Sequence, residues 1–190
     1  DSLAVRQALK QEASREGTLE LILSLGAMDL RAARAAPLGY PLSRIVLNPK
    51  VPFRDRVLAV RAISLLNVRL VAHQLTPVLQ TSTNPEEIAL ARETARCLYQ
   101  LGDTESLKVG LGHSDPEVRR IAASSGAGGM ALCALLGTDP WPMVRAAAAQ
   151  GLAGQPDAGP CLQKSLKDTS TTVQAAAISA LGELGLAAAA

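Results

Sequence analysis

The stretch TDPWPMVRAAAAQGLAG, residues 138–154, decides the fold, because related stretches lie on either side of it. SDPEVRRIAASSGAG occupies residues 114–128, and KDTSTTVQAAAISALGELG occupies residues 167–185. Each contains a turn Asp, an apolar residue followed by Arg or Gln, an Ala-rich stretch and a Gly. Self-similarity at a near-constant spacing is the signature of a repeat protein. The chain is therefore predicted to consist of stacked copies of one small unit.

The apolar residue before Arg or Gln serves as an anchor that can be followed through the whole chain. The anchors are Val5, Leu30, Val60, Leu90, Val118, Val144 and Val173. Subtraction of their numbers gives separations of 25, 30, 30, 28, 26 and 29 residues. Small apolar residues follow Val173 at Ala176, Ala177 and Ala180. This i, i+3, i+4, i+7 spacing predicts a helix with one apolar face in each unit.

A second, shorter apolar segment lies between successive anchored helices. These segments are residues 19–25, 42–47, 70–79, 107–111, 130–136 and 161–166. Two helices in a unit of this length form a hairpin, which buries its apolar face only by stacking on its neighbours. We therefore expect an all-α, right-handed α-solenoid of antiparallel helix pairs. It would be a single superhelix over residues 1–190, with about six to seven repeats.

The pattern DP…VR, then alanines, then Gly resembles HEAT repeats. It is carried by residues 115–126, 139–151 and 168–185. The short period is similar to the bacterial HEAT-like variety that also occurs in phycobilin lyase subunits. The resemblance implies a stack whose second helices line a concave surface. It also implies a non-catalytic scaffold that binds a partner protein through that surface.

The resemblance further implies a ladder of hydrogen bonds between successive units, made by an Asp and an Arg six residues apart. The matching pairs are Asp55 with Arg61 and Asp139 with Arg145. Asp115 and Arg119 are only four residues apart, and Gln174 replaces the Arg after Asp168. The ladder is therefore uncertain in those two units.

An Arg recurs near the anchor in six units and is expected to form a row along one side. The row is Arg6, Arg31, Arg61, Arg92, Arg119 and Arg145. It could be a basic track for an acidic partner or a phosphate backbone. The internal ladder is the favoured interpretation, because turn Asp residues can neutralise the row, and Arg120 beside Glu117 agrees with it. Trp141, the single Trp, either anchors a partner or packs on the next repeat.

These considerations select one set of candidate partner-binding residues. The set is Arg61, Arg92, Arg119, Arg120, Arg145 and Trp141. The net charge of the 190 residues is only +2. We therefore do not expect nucleic acid as the partner, since its binders carry a clear basic excess. No apolar run reaches the roughly 20 residues of a membrane span.

Cysteine and histidine give no sign of a catalytic or metal site. Cys97, Cys133 and Cys161 form an odd set without a close pair, which favours buried small hydrophobic residues and a reducing compartment. His73 and His113 lack partners at metal-binding spacings. We expect no metal, no cofactor and no enzymatic activity.

Two alternatives to the scaffold remain open, and each would leave a different signature. A HEAT-like subunit of an enzyme complex such as a bilin lyase would bring a partner subunit and a bilin. A DNA-binding HEAT-like protein of the glycosylase type would need a strongly basic concave face.

We expect a cytoplasmic location. A periplasmic or exported location is the alternative, because the chain begins at Asp1 without an initiator Met. The second-helix pattern at Val5 also predicts a fragment of a longer protein.

Overall fold

The computed structural model describes residues 2–25 and 32–188, and these residues form helices and no strand. The first six helices are α1 (Ser2–Ala8), α2 (Glu12–Leu25), α3 (Ala32–Leu47), α4 (Phe53–Leu65), the 3₁₀ helix η1 (Arg69–Leu79) and α5 (Pro85–Leu101). The others are α6 (Thr104–Gly110), α7 (Pro116–Ser124), α8 (Ala131–Thr138), α9 (Pro142–Gly151), the 3₁₀ turn η2 (Pro156–Ala158), α10 (Gly159–Ser165) and α11 (Thr171–Ala188). The predicted all-α class is confirmed for this part of the chain.

The chain packs as two compact units, residues 1–106 and 107–190, here called the N-terminal and C-terminal units. In the N-terminal unit α1 contacts α3, and α3 contacts η1, whereas α2 contacts α4, and α4 contacts α5. In the C-terminal unit α8 contacts α10, whereas α7 contacts α9, and α9 contacts α11. Alternate helices therefore stack on each other within each unit. In the N-terminal unit we call α1, α3 and η1 the first row and α2, α4 and α5 the second row; in the C-terminal unit α8 and α10 are the first row and α7, α9 and α11 the second row.

The anchor prediction is confirmed from Val60 onwards. Val60, Leu90, Val118, Val144 and Val173 are all buried in second-row helices. They are placed there because each lies on the apolar face of its helix, and that face packs on the neighbouring helices.

The anchor assignment was wrong at Val5. Val5 is only partly buried and lies in α1, a first-row helix, so the second-helix pattern assigned there does not hold. The second-row helix of this pair is α2, where Leu19 and Ile22 are buried. Leu30 and Arg31 lie outside the described residues.

Side chains cap the starts of α5 and α7. The Asn84 side chain accepts a hydrogen bond from the Glu86 amide, and Asp115 accepts from the amides of Glu117 and Val118. Each of these helices has Pro in its first turn. Such a side chain satisfies amides that have no partner within the helix, while Pro there sacrifices no hydrogen bond.

Asp139 departs slightly from this arrangement. Its carboxylate accepts from the Trp141 amide at 2.9 Å, and α9 begins one residue later, at Pro142. Pro142, and not Pro140, therefore occupies the first turn of the helix.

Small residues allow α7 and α9 to approach closely. Ala146 to Ala149 are buried, and a Cβ added to Gly151 would lie 2.1 Å from the carbonyl oxygen of Ala123. That separation is far inside van der Waals contact, and a backbone atom cannot rotate away from it. Gly151 is thus required by the packing of the two helices.

Candidate functional site

Arg119 belongs to a hydrogen-bond ladder between neighbouring helix pairs. Its guanidinium donates to both carboxylate oxygens of Asp139, at 2.7 and 3.2 Å, and to the carbonyl oxygen of His113 at 2.9 Å. Asp115, four residues before Arg119, caps α7 instead. The irregular spacing in this unit therefore does not interrupt the ladder, because Arg119 takes its carboxylate from the next pair.

Arg145 repeats the same arrangement one pair further on. It donates to both carboxylate oxygens of Asp168 at 2.8 Å, and to the carbonyl oxygen of Asp139 at 2.8 Å. The hydrogen bonds between the two side chains lower the pKa of Asp168 and raise the pKa of Arg145. Gln174 keeps half of this arrangement, since its amide donates to the carbonyl oxygen of Asp168 at 2.7 Å.

The prediction that each ladder Arg pairs with the Asp side chain six residues before it was therefore wrong. Arg145 reaches the backbone of Asp139, whereas the Asp139 carboxylate binds Arg119. The side chains of Arg119 and Arg145 are only 12% exposed. Their guanidinium groups are thus engaged inside the stack, as the ladder interpretation expects.

The N-terminal unit has related ion pairs, but Arg61 takes no part in them. Asp55 binds Arg15 through its carboxylate at 2.7 Å, and both side chains are about one-tenth exposed. Arg56 donates to the carbonyl oxygen of Val46 at 2.8 Å and to Glu87 at 3.2 Å. The predicted pair of Asp55 with Arg61 was wrong, because Arg15 in α2 occupies the carboxylate.

Arg61 and Arg92 lie together on a different surface, which we call the α4–α5 groove. Its volume is about 600 Å³, and an adjoining cavity of about 730 Å³ shares three of its lining residues. The apolar lining of the groove comes from Phe53, Val57, Leu58 and Ala89. All of these residues belong to the second-row helices α4 and α5, so the groove lies within the N-terminal unit.

The α4–α5 groove and its adjoining cavity are rich in arginine. Their cationic lining residues are Arg54, Arg61, Arg69, Arg92 and Arg96. The acidic lining residues are Glu20 and Glu93. Arg61 donates to Glu93 at 2.9 Å while its side chain stays 53% exposed. These charged lining residues sum to +3, and Glu16, outside the lining, also binds Arg54, so the groove carries a positive excess.

Sequence reasoning missed Arg54 and Arg96, because only the residue beside each anchor was followed. The missing signal was helical spacing. Arg54 and Arg61 are seven residues apart in α4, and Arg92 and Arg96 are four residues apart in α5. Residues at these spacings share one face of a helix.

The remaining candidates lie in the C-terminal unit. Arg120 binds Glu117 on its own helix at 2.7 Å. Trp141 is 54% exposed beside the equally exposed Met143, so the ring is available on the surface at the start of α9.

The three cysteines include a pair that sequence reasoning did not predict. Cys133 in α8 and Cys161 in α10 form a disulfide, with their Cα atoms 5.7 Å apart. The expectation of three free, buried cysteines was therefore wrong for these two. Their separation of 28 residues was the available signal, since it matches the repeat period. Residues one period apart occupy equivalent positions on stacked helices.

Cys97 is the free cysteine of the described chain, and burial raises the pKa of its thiol to about 12. A thiol with that pKa is protonated at neutral pH and is a poor nucleophile.

His73 is exposed on η1. Within the described residues no group of three or more His, Cys, Asp or Glu side chains could hold a metal ion. None of the helices described combines the length and the hydropathy that a membrane crossing requires.

Comparison with protein families matches residues 130–190 to the family described as HEAT repeats. The recognition of HEAT repeats from the sequence is thereby confirmed for this part of the chain. Comparison with curated proteins finds no match for the chain.

Proposed function

We propose, from the premise that residues 130–190 are HEAT repeats, that this protein is a non-catalytic scaffold for a protein partner. HEAT repeats commonly mediate protein–protein interaction, because stacked helix pairs present a long, continuous surface. The proposed docking surface is the α4–α5 groove. It lies on the second-row helices, which the resemblance assigns to the concave side of the stack.

One observation carries the proposal, namely that the ladder arginines and the groove arginines differ in exposure. Arg119 and Arg145 are held by carboxylates and are largely buried. Arg54 and Arg61 also pair with glutamates, but their side chains stay more than half exposed, and they border an apolar lining. Arginine beside apolar surface is a common feature of protein interfaces, since the guanidinium is weakly hydrated and forms several directed hydrogen bonds.

The charge of the groove favours an acidic partner. An Asp- or Glu-rich segment of a partner would meet the arginines, while its apolar residues would pack on Phe53 and Val57. Such complementarity raises the association rate and rejects basic partners. The proposed scaffold has no catalytic role.

The DNA-binding alternative gains support from the same arginines. It predicts that the purified protein binds duplex DNA and that this binding weakens as salt is raised. The lyase-subunit alternative has no further support beyond the style of the repeat. The two alternatives are separable, because one predicts duplex DNA as the ligand and the other a bound bilin.

The test is co-purification of partners with the full-length protein from its own host, after nuclease treatment. The wild type is compared with an Arg61→Glu/Arg92→Glu variant and with the control Lys164→Glu/Lys167→Glu, which changes two exposed cations outside the groove. We expect one protein partner to be retained by the wild type and the control and lost by the Arg61→Glu/Arg92→Glu variant. Equal recovery with all three proteins would contradict the groove. Salt-sensitive binding of purified protein to duplex DNA, or a co-purifying bilin, would replace the scaffold with the corresponding alternative.

The disulfide bears on the compartment that we propose. Disulfides persist in oxidising environments and are rare in the cytosol. The bond between Cys133 and Cys161 therefore favours the periplasmic or exported alternative over the cytoplasm. Titration of free thiols in the protein isolated from its host, with alkylation at lysis, would give one thiol among the three cysteines if this is right.

A further inference from the structure

A large cavity lies on the first-row side of the N-terminal unit, away from the arginines of the α4–α5 groove. Its volume is about 1040 Å³. Residues of α1 and α3 form most of its wall, and the turn after α1, Arg15 of α2 and the segment after α3 complete it. Its size is close to the upper end of the range for small-molecule sites, roughly 300 to 1,000 Å³.

Four cations line this cavity, namely Arg6, Lys10, Arg15 and Arg44. None of its described lining residues is acidic. Asp55 lies behind the wall and binds Arg15 at 2.7 Å, so it offsets that one charge. Three cationic side chains therefore remain around a single cavity in a chain whose net charge is only +2.

Arg6 differs from the ladder arginines in its surroundings. Its Nε atom is buried and has no hydrogen-bond partner among the described residues. Arg119 and Arg145, by contrast, each direct Nε at a carboxylate. The Arg6 guanidinium is thus held on the cavity wall without the carboxylate that satisfies its counterparts in the ladder.

Apolar side chains separate these cations. Leu9, Pro41, Ile45 and Val51 line the cavity, and Tyr40 stands on its wall with 53% of its surface exposed. Like charges around a common space repel each other, and low-dielectric walls strengthen the positive potential between them. An anion placed there lowers that repulsion, while an apolar group beside it covers the apolar wall.

We infer that this cavity binds a small amphiphilic anion, with a carboxylate or phosphate head near Arg6 and Arg44 and an apolar body against Leu9 and Ile45. Two features of the cavity define the ligand class. The cations require a negative head, and the apolar wall requires a hydrocarbon or aromatic body. The site is independent of the α4–α5 groove, so either proposal can fail without the other.

The test uses the fluorescent anion 8-anilinonaphthalene-1-sulfonate as the probe, with the full chain at neutral pH. We expect one probe molecule per chain. The Arg6→Gln/Arg44→Gln variant should bind the probe roughly tenfold more weakly, because two of the three uncompensated charges are removed. The matched control is Lys164→Gln/Lys167→Gln, which removes two exposed positive charges from the C-terminal unit. It should bind as the wild type does.

Competition then identifies the parts of the ligand that matter. Octanoate and octyl phosphate should displace the probe, and the stronger of the two reports the preferred head group. Octanol and inorganic phosphate should each compete roughly tenfold less well, since one lacks the charge and the other lacks the apolar body. Equal competition by octanol or by inorganic phosphate would overturn the amphiphilic anion.

Arg44→Gln alone keeps the test valid if the double variant fails to fold. Arg44 is exposed, so its replacement is not expected to disturb the core. It should weaken probe binding by roughly threefold, with an unchanged far-ultraviolet circular dichroism spectrum. If this variant and the double variant both fold and bind the probe as tightly as the wild type does, the site is refuted. It is also refuted if the lysine control weakens probe binding as much as the arginine variants do.

Discussion

Replacement of Asp168 by Asn should destabilise the C-terminal unit by removing one charge from the Arg–Asp ladder. Asp168 accepts two hydrogen bonds from Arg145 at 2.8 Å and one from the Ser170 amide at 2.8 Å. Asn retains one oxygen acceptor, but it replaces the second by an NH₂ group that faces the guanidinium. Arg145 would then keep its bond to the carbonyl oxygen of Asp139 and at most one bond to the Asn oxygen, and it would lose the carboxylate that binds it directly.

The expected loss in free energy of unfolding follows from the exposure of the Arg145 and Asp168 side chains. The side chains of Arg145 and Asp168 are 12% and 11% exposed, which lies between a surface pair and a fully buried one. Exposed pairs contribute about 0–1 kcal/mol, whereas removing one partner of a buried pair costs about 3–5 kcal/mol. We therefore expect Asp168→Asn to lower the free energy of unfolding by about 2 kcal/mol.

The pH dependence provides a second readout. The hydrogen bond from Arg145 lowers the pKa of Asp168 from its ordinary value of 3.8. The unfolded chain then binds the proton more readily than the folded one, so the ionised carboxylate stabilises the fold. This contribution is complete above pH 3.8 and is lost as the pH falls through the lowered pKa. The difference between wild type and variant should therefore shrink below about pH 4.

Urea unfolding followed by circular dichroism at 222 nm measures the effect, with the disulfide intact. Asp157→Asn is the matched control, because Asp157 is exposed in the same unit, and it should change the stability by less than about 0.5 kcal/mol. Arg145→Gln completes a double-mutant cycle, since Gln174 shows that Gln can keep the backbone bond. A coupling energy below about 0.5 kcal/mol, or equal losses in Asp168→Asn and its control, would refute the reasoning.

Three further predictions concern packing and covalent structure. Gly151→Ala should cost about 2 kcal/mol in urea unfolding because its Cβ would meet backbone, whereas Gly137→Ala, with nothing within 4 Å of the new Cβ, should be neutral or stabilising. Cys133→Ser/Cys161→Ser should lower the free energy of unfolding by about 3.5 kcal/mol, because the unfolded chain is no longer constrained by a loop spanning 28 residues. Reductant should then leave the stability of this variant unchanged. Val144→Asp should cost about 4 kcal/mol or more, since this side chain is only 1% exposed, and a retained wild-type melting temperature would show that Val144 is not an anchor.

The candidate site was only partly predictable, for a geometric reason. Arg61 and Arg92 could be placed on one row, because a repeated position in a helix pair faces the same way in each copy. The spacing could not reveal that Arg145 and Arg119 lie in the ladder while Arg61 lies on a groove. That division depends on which carboxylate is near each guanidinium, and the carboxylate comes from another helix pair.

The cavity near Arg6 was still less predictable. Its cations come from α1, the turn after α1, α2 and α3, and no periodic pattern links them. They meet only because α1 stacks on α3, a contact that the misassigned anchor at Val5 obscured.

The sequence by itself determined the helical class, the repeat, and the buried anchors from Val60 onwards. These properties depend on the local period of apolar residues and on caps such as Asn84 and Asp115, which act within one helix. The tertiary structure decided the partners of the arginines, the bond between Cys133 and Cys161, and the two cationic surfaces. Each of these depends on side chains from different helices meeting in space, and that proximity is set by how the helices stack.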